Sequence, residues 1–120
     1  MRISAWLRHV AAGIGARWRK ARTAFLPRWK MAFVESDVLP PILPHRRLVV
    51  AREDGELWSA GMNCPCGCGE IIELGLFPEA EQSWTLEVDG RRRPTLSPSV
   101  WRRTGCRSHF WMRRGRVYWC

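Results

Sequence analysis

Three cysteines fall within five residues, Cys64, Cys66 and Cys68 of the run CPCGCGE, and a fourth, Cys106, follows far along the chain in the run CRSHFW. Thiolate and imidazole are the ligands Zn²⁺ prefers, and a structural site takes four of them. A short chain buries little apolar surface, so a bound ion would supply folding energy that packing alone does not. Residues 31–120 therefore read as a zinc-stapled domain. The disulfide alternative fits poorly. The clustered cysteines are too close in sequence to bridge one another comfortably, and an odd total of five leaves one thiol over. The basic N-terminus is not followed by an apolar core suited to a signal peptide. No stretch approaches the roughly 18 apolar residues of a membrane span. Reduced, metal-bound cysteine in the cytoplasm is the expectation.

The formal charge of +9 hides a segregated pattern. Residues 1–30 carry eight basic side chains and no acid, residues 31–89 carry all eleven acids against three arginines, and residues 90–120 carry nine arginines and no acid. The acidic middle and basic end are expected to compensate each other inside one fold. Such segregation points to nucleic acid less than a uniformly basic domain would.

Residues 1–30 form a basic arm. Trp6, Val10, Ile14, Trp18, Ala21, Phe25 and Trp29 recur at steps of three or four, the pattern of an amphipathic helix. A basic helix with a tryptophan stripe suits an anionic membrane surface; packing on its own domain is the plainer use. Residues 38–45, VLPPILPH, are an extended connector. Beyond it the signals are short and β-like. Residues 47–52 and 57–62 flank the turn Glu53-Asp54-Gly55, residues 83–88 lead through Asp89-Gly90 to 93–100, and 106–112 and 117–120 flank a turn at Gly115. The fold class is mainly β, a small antiparallel domain preceded by a basic helix.

Gly67 and Gly69 suit a zinc knuckle, where the backbone folds tightly around sulfur. Two ligand sets remain open: Cys64, Cys66, Cys68 and Cys106, or part of the cluster with Cys106 and His109. If residues 106–112 were one flat strand, Cys106 and His109 would face opposite sides and could not share an ion. A closed thiolate site makes the Zn²⁺ structural, and no His-Glu-x-x-His run exists. The nucleophile candidates are Thr95, Ser97 and Ser99 of PTLSPSV, with His109 as base if it is free; turn residues bonding their own backbone are the plainer use. The arginines after residue 90 alternate with Trp101, Trp111, Tyr118 and Trp119. The favoured use puts the tryptophans in the core and the arginines on its solvated face; stacking of nucleic acid bases or a patch for an acidic protein surface are the others.

The runs CPCGCGE, PTLSPSV and CRSHFWMRRGRVYW, in this order, resemble the domain-of-unknown-function family 6527 over roughly residues 34–120. That resemblance implies a small bacterial zinc-binding protein encoded beside ubiquitin-like conjugation genes, and hence a peptidase that trims or removes the modifier. Carried over, the family's metal motif falls on Cys64, Cys66, Cys68, Cys106 and His109, and its serine motif on Ser99. The expected mechanism has Ser99 as nucleophile and His109 as base, with the ubiquitin-like protein or its conjugates as partner. The alternative is a non-catalytic zinc module binding an acidic protein or nucleic acid.

Overall fold

The computed structural model describes residues 26–120. The described residues contain strands and no helix: β1 (Lys30–Glu35), β2 (Arg47–Glu53), β3 (Glu56–Asn63), β4 (Ile71–Gly75), β5 (Thr85–Val88), β6 (Pro94–Ser97), β7 (Val100–Trp101), β8 (His109–Arg113) and β9 (Arg116–Trp119). They form a four-stranded sheet β1-β2-β3-β4, a pair β5-β6 and a three-stranded sheet β7-β8-β9. The mainly β class is thus observed, with one departure: β1 runs parallel to β2. The proline-bearing connector between them makes this geometry, since a parallel neighbour must be reached by crossing back rather than by a tight turn.

Two of the three expected turns form as tight hairpins. Asp54 and Gly55 take positive φ between β2 and β3, and Arg114 and Gly115 do so between β8 and β9, the left-handed geometry that matches strand twist. At Asp89 the loop is wider. Its carboxylate accepts N–H bonds from Arg91 and Arg93, both at 2.9 Å, so a side chain organises the loop. The single strand expected over 93–100 is broken after Ser97, where Pro98 follows through a cis peptide bond.

Most of the expected N-terminal helix lies outside the described residues. Its last members behave otherwise: Lys30 opens β1, and Trp29 is buried in the core. The Trp29 N–H donates to the Gly115 carbonyl at 2.7 Å, and a Cβ on Gly115 would collide with the Trp29 carbonyl oxygen. One core joins the sheets, built on Leu48, Val50, Met62, Leu96, Val100, Phe110 and Met112. At about 1.5–3 kcal/mol per fully buried large apolar side chain, these residues dominate stability. Trp29 joins that core, but the aromatic residues after residue 90 do not fill it as expected. Trp58, Trp84, Trp111 and Trp119 are half-buried and Trp101 is exposed. Guanidinium groups lie over several rings: Arg46 over Trp29, Arg103 over Trp101 and Arg113 over Trp111. The compensation between acidic middle and basic end is visible in the ion pairs Arg93–Asp89 and Arg102–Glu70.

Among the described residues, no helix is long and apolar enough to cross a membrane.

Candidate active site and metal centre

The ribbon β7–β8 carries two chemistries on its two faces. Side chains along a strand alternate between faces. Ser108, Phe110 and Met112 turn inward and are buried, whereas His109 and Trp111 turn outward and are partly exposed. On β7, Val100 is buried and Trp101 exposed. The registers Val100↔Phe110 and Trp101↔His109 keep like with like.

The inner face meets the sulfurs. The Sγ atoms of Cys64, Cys66, Cys68 and Cys106 all lie within 4.8 Å of one another. Cys64 stands 3.3 Å from Cys66 and 3.6 Å from Cys106. Four thiolates held tetrahedrally at the usual Zn–S length would sit about 3.8 Å apart, so this set fits a zinc ion. Gly67 and Gly69 take positive φ around the knuckle, and the Cys64 N–H donates to the Glu70 carbonyl. The Ser108 hydroxyl lies 3.2 Å from Cys106 Sγ and 3.7 Å from Cys64 Sγ. Arg102 pairs with Glu70 and aims Nη1 at Cys106 and Cys68, at 3.7 and 3.9 Å. The thiols differ in acidity. Burial pushes Cys64 up to about 12. Cys106 is also disfavoured by burial, but the Ser108 hydroxyl and N–H, with the neighbouring thiols, outweigh it and bring Cys106 down to about 6. A cation is the natural way to hold four such sulfurs ionised together.

The outer face carries the hydroxyl and imidazole. Ser99 Oγ stands 2.9 Å from His109 Nε2. The Trp84 indole N–H donates to the Ser99 carbonyl at 3.4 Å, and the Trp101 ring stacks on the His109 ring, centroids 5.0 Å apart and 16° from parallel. Ser99 opens onto a cleft of about 570 Å³ lined also by Gln82, Ser83, Trp84, Pro98, Trp101 and Arg103. A serine hydroxyl hydrogen-bonded to an imidazole and open to a cleft can attack a carbonyl while the ring takes its proton.

The expected residues thus separate into two groups. The chain turns at Gly105 and Arg107, both at positive φ, so residues 106–112 are not one strand; even so, Cys106 joins the sulfurs and His109 joins Ser99. Of the other nucleophile candidates, Thr95 accepts the Arg114 N–H and Ser97 is exposed on β6. Glu70 and Trp84 were given no role by the sequence, and Ser108, Arg102 and Trp101 were noted there only for their place in a run or an alternation. Alternation says nothing of what lies opposite.

Fold and site together define a small β domain that combines a four-cysteine cluster with a hydrogen-bonded serine and histidine. Over residues 35–120 the chain matches the model of the family described as bacterial ubiquitination-like system serine protease (BubE), and it belongs to that family. The expected tie to bacterial ubiquitin-like systems thus holds through the BubE family. No curated protein and no solved structure matches the chain.

Proposed function

We propose that this protein is a serine peptidase that cleaves a ubiquitin-like modifier at its C-terminal end, either from a precursor or from a conjugate. The observation that carries this is the 2.9 Å contact between Ser99 Oγ and His109 Nε2, open to the cleft. The family's description supplies the system in which such a peptidase would act. Ser99 Oγ attacks the scissile carbonyl as His109 Nε2 accepts its proton. A C–O bond forms, the C–N bond breaks, and His109 returns the proton to the leaving amine. Water then attacks the acyl-serine by the same route in reverse, and main-chain N–H groups near Ser99 hold the oxyanion.

Cys64, Cys66, Cys68 and Cys106 would hold Zn²⁺, which cross-links two distant parts of the chain when bound. With four sulfur ligands it has no open position, so its task is structural. Ser108 and Arg102 carry that order to the ribbon bearing His109. Four reduced thiols suit the cytoplasm. What favours catalysis over a purely binding module is that His109 lies on Ser99 rather than among the sulfurs.

The test incubates the purified protein with the modifier fused at its C-terminus to a reporter. Release of the reporter that stops in Ser99→Ala supports the proposal; release that continues in Ser99→Ala excludes it.

A further inference from the structure

We infer that Trp101 is the positioning residue for His109, holding the imidazole so that Nε2 faces Ser99. The inference rests on the peptidase reading above. Three observations carry it. Trp101 and His109 are direct partners in the β7–β8 register, so their side chains rise from the same face. Their rings are stacked 5.0 Å apart and nearly parallel, which fixes the plane of a ring whose terminal torsion is otherwise broad. Trp101 is also 56% exposed at the cleft wall, while its neighbour Val100 and the partner's neighbour Phe110 fill the core. Its position is therefore explained by the site rather than by packing of the fold. The Arg103 guanidinium, 5.0 Å from the indole centroid, steadies the indole in turn.

A general base contributes about 10²–10⁴ in rate, and small misplacement of a catalytic group forfeits much of it. Removing the aromatic face should therefore lower kcat with little effect on KM, and a smaller aromatic ring should rescue it. Nucleophile activation is read without the protein substrate by the rate at which methanesulfonyl fluoride labels Ser99, compared in wild type, Trp101→Leu, Trp101→Phe and His109→Ala. The expected result is labelling slowed roughly 10- to 100-fold in Trp101→Leu, to within about fivefold of wild type in Trp101→Phe, and slowest in His109→Ala. On the reporter fusion, kcat should fall in parallel with KM changed less than about threefold.

Labelling of Trp101→Leu at the wild-type rate, or of Trp101→Phe as slow as Trp101→Leu, overturns the inference and leaves the peptidase reading standing. Wild type that is not labelled at Ser99, or His109→Ala labelled as fast as wild type, sinks the serine–histidine pair and the inference with it. Should Trp101→Leu lose its fold, Arg103→Ala carries the test, with labelling slowed about three- to tenfold; an unslowed Arg103→Ala then overturns the inference.

Discussion

The Ser108 hydroxyl stands 3.2 Å from the Cys106 sulfur, and the next residue along the chain is the imidazole bonded to Ser99. One peptide unit therefore separates the sulfur cluster from the proposed catalytic pair, on opposite faces of a single ribbon. Order that a bound ion gives the sulfurs would reach the cleft through that one peptide unit.

With zinc held at the four cysteines as proposed, its removal should unfold the ribbon as well as the knuckle. Treatment with a strong chelator, or the substitution Cys106→Ser, is expected to lower Tm by more than about 15 °C and abolish cleavage, because structural zinc supplies several kcal/mol of folding energy. Thermal scans with metal content measured by mass spectrometry check this. A protein that keeps its Tm without metal would contradict it.

The serine and histidine should behave as one unit. Ser99→Ala and His109→Ala are each expected to lower kcat by about 10³-fold or more, and the double variant should be no worse than the poorer single one. Single-turnover rates on the reporter fusion give the comparison, and additive losses would argue against a joint mechanism.

Arg102 joins Glu70 to the sulfurs and is not among the proposed metal ligands. Arg102→Gln should weaken metal retention about tenfold, the usual effect of losing a group behind the ligands. Competition against a chromophoric chelator measures it, with Arg103→Gln as the control that leaves affinity unchanged.

Gly115 and Gly55 share positive φ but not surroundings. Gly115→Ala meets the Trp29 carbonyl, whereas Gly55→Ala meets open space. Urea unfolding should show roughly 1–2 kcal/mol lost at Gly55, the cost of the left-handed conformation, and more than about 3 kcal/mol at Gly115, where backbone must shift as well. Equal losses would mean that the Trp29–Gly115 contact does not form.

The Asp89 carboxyl is held below its ordinary 3.8 first by the Arg93 main-chain N–H, then by the Arg93 guanidinium and the Arg91 N–H. A depressed carboxylate stabilises the fold above its unfolded-state value and loses that contribution as pH falls toward its folded value. The stability difference between wild type and Asp89→Asn, present at pH 6, should therefore shrink as pH drops below about 4. A difference that grows on acidification would reverse the assignment.

What could be known from the chain alone was local. Thiolate chemistry and the glycines around it marked the knuckle, and Asp54-Gly55 and Gly115 marked tight turns. Each depends on residues close in sequence, whose geometry is limited by φ preference and period. Contacts between distant segments obey no such limit. Tertiary structure alone decided that β1 lies parallel to β2, that Trp29 closes over Gly115, that His109 meets Ser99 rather than the sulfurs, and that Arg102 stands between Glu70 and the sulfurs. Such pairings follow from how one shared core brings three sheets together, and the energies that select them are sums over many weak contacts that no single residue displays.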